Sequence, residues 1–178
     1  MLSIDLIILG MVMEKPQSAY EIQKDVEYHQ FSRWTKISVP SIYRKVLQLE
    51  EKGWLRKDVV KGERLAPKAV YSITSEGRAR FRRLMEEHAA QPVSLTFDFN
   101  VVISNLNKLE KPEALALLQK LRENIEQGRK STERYAAEYD QLPLVGKTIF
   151  DQQRLLYDAL SKWLDGFFRQ LEEAPHGR

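Results

Sequence analysis

The stretch from Ser38 to Gly53 carries signals for both ends of a helix, and it constrains the fold more than any other part of the chain. Ser38 belongs to the residue types that cap helix starts, and Pro40 suits a first turn because its missing N–H has no partner there. Gly53 can supply the left-handed conformation that commonly ends a helix. Apolar residues recur at helical spacing in between, at Ile42, Val46 and Leu49. The sequence therefore predicts one amphipathic helix over 38–53.

The other face of this predicted helix is polar and basic. It carries a hydroxyl, an aromatic ring, two cations and an amide, on Ser41, Tyr43, Arg44, Lys45 and Gln48. Side chains of these types reach phosphates and base edges in the major groove of DNA. A basic outer face is also common on ordinary solvated helices. DNA recognition and simple solvation are therefore both open for this segment taken alone.

A predicted β-hairpin follows directly. Residues 54–60 and 69–73 are rich in β-branched and aromatic types, and a loop containing Gly62 separates them. Lys61, Arg64 and Lys68 make this loop basic. A helix followed at once by a basic hairpin is the order of a winged helix-turn-helix, in which the helix enters the groove and the wing touches flanking backbone.

Four motifs then carry a family resemblance. In chain order they are Tyr20-Glu21-Ile22, Ser41-Ile42-Tyr43, Leu49-Glu50-Glu51-Lys52-Gly53 and Tyr71-Ser72-Ile73-Thr74-Ser75-Glu76-Gly77-Arg78. In this order and spacing the chain resembles the DNA-binding domain of the PadR family of bacterial transcriptional regulators. The resemblance implies a dimeric winged-helix repressor whose C-terminal helices hold the dimer together. Some members of the family respond to a small aromatic or apolar effector, so the resemblance also implies a candidate effector for this chain.

The chain departs from the family pattern at a few positions. Ser18-Ala19 stands where the family usually has His-Gly, and Leu47 stands where the family often has a basic residue. The wing is also less basic than is usual, with Ala66-Pro67-Lys68-Ala69 at its end. These departures concern individual DNA contacts rather than the fold.

The predicted DNA contacts combine the residues with the resemblance. We expect base and groove contacts from Ser41, Tyr43, Arg44, Lys45 and Gln48, and phosphate contacts from Lys61, Arg64 and Lys68. The predicted set also includes Ser38 and Tyr20. Tyr20 has two interpretations, either a core residue of a second helix capped by Ser18 or a phosphate contact.

Positive charge is concentrated on the predicted helix and wing. Residues 33–83 contain 14 Lys and Arg against 5 Asp and Glu, whereas residues 1–32 contain 2 against 5 and residues 91–178 contain 12 against 13. The net charge of the whole chain is only +3. A local cluster of this kind is typical of a protein that binds a polyanion, with a chance cluster as the alternative.

Composition excludes several other classes of protein. The 178 residues are 43% hydrophobic and 30% charged, which indicates one ordinary globular domain or two small ones. The absence of cysteine excludes disulfides and thiolate metal sites. The apolar opening, residues 1–13, has no basic start, contains Asp5 and runs into Glu14-Lys15-Pro16 rather than a cleavage site. We therefore predict a cytoplasmic protein without a membrane span.

The clearest break in the chain is Gln91-Pro92-Val93-Ser94. We place a domain boundary there, with a winged-helix DNA-binding domain over 1–90 and a helical dimerisation domain over 91–178. The second half shows no strand signal. The predicted fold is therefore mostly α with a small β-hairpin, an N-terminal winged helix-turn-helix followed by C-terminal long helices.

Two heptad-like stripes in the second half predict long helices packed lengthwise, one from about residue 113 and one from about Leu144 to Glu173. The apolar face of the last helix is wider than one partner would cover, which predicts packing within the chain and against a second copy. The residues predicted to hold this dimer are Leu118, Leu121, Ile125, Leu156, Leu160, Trp163, Phe167 and Leu171.

Aromatic residues on the same helices have two interpretations. Tyr135, Tyr139, Tyr157 and Trp163 are able to line a pocket for the effector that the resemblance implies. Aromatic residues at helical spacing also commonly form a dimer core, and the sequence leaves both open.

The sequence gives no support for catalysis. His29, His88 and His176 are widely separated, and none stands at metalloprotease spacing with a Glu. Neither a Gly-x-Ser-x-Gly motif nor a Gly-rich phosphate loop occurs. We therefore predict a protein that is not an enzyme and needs no metal or cofactor.

The predicted function is a dimeric regulator, by resemblance a repressor, whose two-fold symmetry requires an inverted-repeat operator in double-stranded DNA. The predicted partners are this operator, a second copy of the chain and a small-molecule effector. The alternative is a winged-helix adaptor that binds another protein and no DNA. Local charge favours DNA, and the apolar Leu47 favours the adaptor.

Overall fold

A computed structural model describes residues 2–29, 31, 35, 37, 39–60, 67–138 and 143–174. The chain divides into two compact units, Met1–Val93 and Ser94–Arg178. The described residues are mostly helical, with one antiparallel β-hairpin in the first unit, as the sequence predicts.

The first unit contains four helices and the hairpin among its described residues. In chain order these are α1 (Leu2–Glu14), α2 (Ala19–Tyr28), α3 (Ile42–Glu51), β1 (Leu55–Val60), β2 (Lys68–Ile73) and α4 (Ser75–Ala89). A 3-10 turn, Val39–Ser41, leads into α3. The predicted helix over 38–53 is thus a shorter α-helix with a tighter entry, because Pro40 lies in the turn and Gly53 ends the segment with a φ of 70°.

The core of the first unit lies where α1, α2 and α3 meet. The predicted inward stripe of α3, Ile42, Val46 and Leu49, is completely buried. It packs with buried apolar side chains from the neighbouring elements, which are Ile8, Leu9, Ile22, Val26, Leu55, Tyr71 and Leu84. Each fully buried Ile or Leu contributes about 1.5–3 kcal/mol, so this stripe holds α3 and leaves its opposite face outside.

The hairpin pairs Leu55 with Ile73 at its base and Val60 with Lys68 at its far end. Residues 61–66, which join the strands, lie outside the described residues. Gln17 extends β2 on its other edge, because its main-chain N–H donates to Tyr71 O and its carbonyl accepts from Tyr71 N–H. The base of the wing is therefore attached to the start of α2 through main-chain hydrogen bonds.

A second attachment joins the hairpin to α4. The Thr74 hydroxyl donates to the carbonyl of Gly53 at 2.7 Å and accepts from the N–H of Gly77 at 3.0 Å, which caps α4. The backbone of Gly77 approaches so closely that a Cβ there would lie 2.1 Å from the carbonyl oxygen of Trp54. The turn after α3, the start of β1 and the start of α4 thus form one tightly packed junction.

The second unit contains α5 (Asn100–Ile103), α6 (Lys111–Glu138) and α7 (Leu144–Glu173), with a 3-10 turn over Leu106–Lys108. The long helices α6 and α7 pack against each other. Their buried core consists of Leu106, Ala114, Leu118, Ile125 and Leu164. The predicted lengthwise packing of two long helices is present within one chain.

Candidate nucleic-acid interface

The exposed face of α3 presents an aromatic ring and a cation. Tyr43 is 59% exposed, and Arg44 is also exposed. Ser41 and Gln48 are half-buried at the edges of the same face. This face points away from the core stripe, so Tyr43 and Arg44 are accessible to a ligand that lies along α3.

Lys45 is not part of that face, which corrects the prediction from sequence. Its side chain is only 13% exposed, and its ammonium lies 3.0 Å from the carboxylate of Asp5 on α1, itself 8% exposed. Lys45 stands one position before the buried Val46, at the border of the apolar stripe, where a counter-ion on a neighbouring helix decides its direction. Lys45 therefore connects two helices of the protein.

Helix α2 begins beside the exposed face of α3. Ser18 caps it, since the Ser18 hydroxyl accepts from the N–H of Glu21 and the Glu21 carboxylate accepts from the N–H of Ser18 at 2.8 Å. Tyr20 follows in the first turn and is 67% exposed. The alternative in which Tyr20 is a core residue is therefore wrong.

A concave surface joins the starts of α2 and α3 to strand β2. It is lined by Ser18, Ala19, Tyr20, Tyr43, Lys68, Ala69 and Tyr71. Two exposed phenols and one ammonium thus lie on one surface, next to the polar face of α3. Burial raises the pKa of the Tyr71 phenol above its ordinary value, so this ring stays neutral at the base of the surface.

Lys68 is paired on this surface. Its ammonium lies 2.6 Å from a carboxylate oxygen of Glu21. The hydrogen bond from Lys68, together with those from Ser18, lowers the pKa of Glu21 from 4.5 to about 2. Glu21 is absent from the contacts predicted from sequence, although the spacing Ser18-x-x-Glu21 is that of a capping box and places the carboxylate at this helix start.

Three predicted contacts, Ser38, Lys61 and Arg64, lie outside the described residues. Among the described wing residues, Arg56 pairs with Asp58 at 3.1 Å on the exposed part of β1, and Lys57 is exposed beside it.

Leu47, the feature that favoured an adaptor, packs against the core of the first unit. Its apolar character is therefore explained by folding.

The residues predicted to form a dimer separate into two groups. Leu118 and Ile125 are buried in the α6–α7 core of their own chain, which corrects their assignment to a dimer surface. Leu121, Leu160, Phe167 and Leu171 are partly buried against that same core, and Leu156 is half-buried. Trp163 is 40% exposed and lies outside the core. A heptad-like stripe does not show whether its partner helix belongs to the same chain or to a second copy. Here α6 and α7 of one chain bury much of each other's apolar stripe.

The predicted effector aromatics lie in different surroundings. The ring of Tyr157 packs where a Cβ on Gly128 would lie 2.6 Å away, and Tyr135 is half-buried on α6. Trp163 stacks between Phe99 and Phe167, with ring centroids 5.9 and 6.2 Å apart. Tyr139 lies outside the described residues. The structure therefore gives Tyr157 and Trp163 different neighbours.

The described part of the chain contains no group of three or more His, Cys, Asp or Glu that could hold a metal ion. No helix in the same residues is long and apolar enough to cross a membrane.

Residues 8–83 match the model of the PadR-like family of transcriptional regulators. A PadR-like transcriptional regulator from Bacillus cereus has a similar structure, with 25% sequence identity and a TM-score of 0.70, covering 95% of this chain and 98% of its own. Bacillus subtilis PadR in complex with operator DNA is 14% identical with a TM-score of 0.79, covering 94% and 98%.

Bacillus subtilis PadR in complex with p-coumaric acid is also 14% identical with a TM-score of 0.79, covering 97% of this chain and 98% of its own. At this identity the likeness to Bacillus subtilis PadR shows the fold alone. No curated protein matches the chain in sequence.

Proposed function

We propose that this chain represses transcription as a dimer that binds an inverted-repeat operator, because residues 8–83 match the PadR-like family of transcriptional regulators and a PadR-like regulator from Bacillus cereus has a similar structure. The family consists of DNA-binding regulators rather than enzymes, which agrees with the prediction from sequence. The dimer, the operator, the repressor role and an effector are the parts that we propose.

The observation that carries the proposal is the polar face of α3 beside the concave surface. A winged helix-turn-helix reads bases with one helix and grips the flanking backbone with neighbouring groups. Tyr43 and Arg44 lie exposed on α3, and Tyr20 and Lys68 lie next to them on α2 and β2. These are hydroxyl and cationic groups, the types that contact phosphates and base edges.

We assign the contacts accordingly. Ser41, Tyr43, Arg44 and Gln48 face the major groove, and Tyr20 and Lys68 face the phosphates. The predicted contacts Ser38, Lys61 and Arg64 remain in the proposed set. Lys45 is left out, since Asp5 holds its ammonium inside the protein.

We further propose that α7 contributes the dimer surface. Trp163 and Leu155 are large apolar side chains that remain exposed on this helix. Covering them with a second copy removes apolar area from water, which favours association. Two-fold symmetry then sets the half-site centres about 34 Å apart, or a multiple of that distance.

An effector acts, in this proposal, by favouring one of two dimer arrangements. The support is the solved complex of Bacillus subtilis PadR with p-coumaric acid, together with the aromatic residues Tyr135, Tyr139, Tyr157 and Trp163 on α6, α7 and their connection. A ligand shifts such an equilibrium only as far as its affinities for the two arrangements differ. A small aromatic or apolar molecule fits this chemistry.

The test uses the intergenic DNA next to the gene for this chain. We expect a gel shift with that DNA, a palindromic footprint, and a dimer by sedimentation velocity. Affinity should fall steeply with salt because bound phosphates release counterions. A dimer that binds no DNA at low salt would instead favour the adaptor alternative, and a monomer would exclude the inverted-repeat mode.

The effector part needs its own measurement. A thermal-shift screen of aromatic acids should give a hit that also weakens operator binding. Hits that leave DNA binding unchanged would exclude effector control by that class of ligand.

A further inference from the structure

The carboxylate of Glu21 places a negative charge of the protein itself beside Lys68, on the surface that we assign to DNA phosphates. The carboxylate lies at the N-terminus of α2 and contacts Lys68, the first residue of β2. Lys68 is the one cation among the described residues that line the concave surface with Tyr20 and Tyr43. A phosphate that approaches this surface therefore meets an ammonium that already has an anionic partner.

The carboxylate is held firmly in that position. One oxygen accepts hydrogen bonds from the N–H of Ser18 at 2.8 Å and from its hydroxyl at 2.9 Å, and the other oxygen accepts from Lys68. These donors keep the pKa of Glu21 at about 2, so the group is ionised at any pH near neutrality. The capping box thus presents a fixed negative charge rather than a mobile side chain.

Carboxylate and phosphate oxygens are equivalent partners for an ammonium. A lysine in contact with a carboxylate gains less from a phosphate, and the neutral pair contributes less to counterion release when DNA binds. The contact does not depend on base sequence, so any penalty applies to every DNA duplex alike.

We propose that Glu21 competes with DNA phosphate for Lys68 and thereby limits the sequence-independent part of DNA affinity. This inference rests on the proposed function, and it assigns a residue that lowers affinity rather than one that binds. The base-reading face of α3 then supplies a larger share of the total affinity.

The test is Glu21→Gln, measured by fluorescence anisotropy with the operator and with an unrelated duplex over a series of salt concentrations. Glutamine at this position also completes a capping box, so α2 keeps its start. We expect binding to both duplexes to tighten by a similar factor, about 1.4- to fivefold, since an exposed ion pair is worth roughly 0.2–1 kcal/mol. The slope of log K against log salt should steepen by about 0.9, as for one added phosphate contact.

Glu126→Gln is the matched control. Glu126 on α6 pairs with Arg129 at 2.8 Å, and its pKa is also lowered to about 2. The substitution removes the same charge from an equivalent ion pair on the second unit, so it measures the effect of net charge alone. We expect it to change neither the affinity nor the salt slope appreciably.

Lys68→Gln tests whether Glu21 acts through Lys68. In the Glu21→Gln background it should reverse the gain in affinity, whereas in the otherwise unchanged protein it should flatten the salt slope by much less than 0.9. If Lys68→Gln alone flattened the salt slope by the full 0.9, Lys68 would already contact phosphate without competition from Glu21, and the inference would be overturned.

The remaining outcomes are also decisive. Glu21→Gln binding that equals or falls below that of the unchanged protein, with thermal melts that show a folded variant, would overturn the competitor role. So would a gain that persists after Lys68→Gln. Failure of the unchanged protein to bind either duplex at low salt would contradict the proposed function itself, which separates the two results.

Discussion

The ammonium of Lys45 lies 3.0 Å from the carboxylate of Asp5, and this contact joins α3 to α1. It is an ion pair rather than an aligned hydrogen bond, because Asp5 Oδ1 has no hydrogen-bond partner within the described residues. Both side chains are nearly buried. The pair connects α3, the helix that we propose reads DNA, directly to its neighbour α1.

Lys45→Ala should therefore act on stability rather than on DNA contact. The substitution leaves Asp5 as a buried charge without a partner, which destabilises a protein by about 3 kcal/mol. Urea unfolding measures this loss. Lys57→Ala, which removes an exposed cation from β1, is the control and should change stability by less than about 0.5 kcal/mol.

The double substitution Asp5→Asn with Lys45→Met should recover much of the loss, since it removes both charges together. A Lys45→Ala variant of unchanged stability and flattened salt slope would show instead that Lys45 reaches phosphate.

Arg44→Ala should weaken operator binding. Arg44 is exposed on α3, and a base-reading arginine contributes about 1–3 kcal/mol that is specific to its base pair. Anisotropy with the operator and with single-base variants measures both the loss and its sequence dependence. Lys120→Ala, which removes an exposed cation from α6, is the control. A uniform loss on all duplexes would place Arg44 on phosphate.

Gly77→Ala should destabilise the first unit. The new Cβ would lie 2.1 Å from the carbonyl oxygen of Trp54, and a backbone atom in a packed junction cannot move aside as a side chain can. We expect a loss of about 3 kcal/mol in the free energy of unfolding. Gly166→Ala on α7 is the control, since its Cβ meets open space. Alanine there should stabilise the helix by up to about 1 kcal/mol.

Glu21 should make stability depend on pH in an acidic window. The folded state lowers its pKa from 4.5 to about 2, so the stabilisation is complete above 4.5 and is lost as the pH falls towards 2. Solvent screening limits it to less than about 1 kcal/mol, because both partners are partly exposed.

Urea unfolding at pH 7, 5 and 3 should therefore show a difference between the unchanged protein and Glu21→Gln that shrinks only at pH 3. Glu86→Gln, at an exposed position on α4, serves as the control. A difference that stays constant down to pH 3 would contradict the assigned interaction with Lys68.

Trp163→Ala should weaken the proposed dimer. A large aromatic residue at the centre of an interface typically contributes at least 2 kcal/mol, which corresponds to a loss of affinity of roughly thirtyfold. Sedimentation at several protein concentrations measures the dissociation constant. Tyr28→Ala, which removes an exposed ring from α2, is the control. An unchanged dissociation constant would move the dimer surface away from Trp163.

The local sequence pattern was sufficient to predict the architecture of the first unit. Helical spacing at Ile42, Val46 and Leu49 identified the buried stripe of α3, and the β-branched runs identified the hairpin. The resemblance to the PadR family is confirmed by the match over residues 8–83. These features depend on neighbours a few residues away, which a sequence shows directly.

Neighbouring residues in the sequence could not predict where a side chain at the border between the two faces of a helix points. Lys45 lies between the two faces of its helix, and Asp5, 40 positions earlier, decides which way it turns. A lone acid in the apolar helix α1 was a signal that some cation must meet it. Likewise Leu118 and Trp163 each lie in a heptad-like stripe, one on α6 and one on α7, but the packing of the two helices buries Leu118 and leaves Trp163 40% exposed.

The junction at Thr74 has a mechanical consequence. Its hydroxyl bonds to Gly53 and Gly77, so the end of α3, the root of the hairpin and the head of α4 cannot turn independently. A rotation of α4 would therefore turn α3 and the hairpin with it, as one rigid body. Regulation through this helix would change the orientation of α3 and leave the internal structure of the junction unchanged.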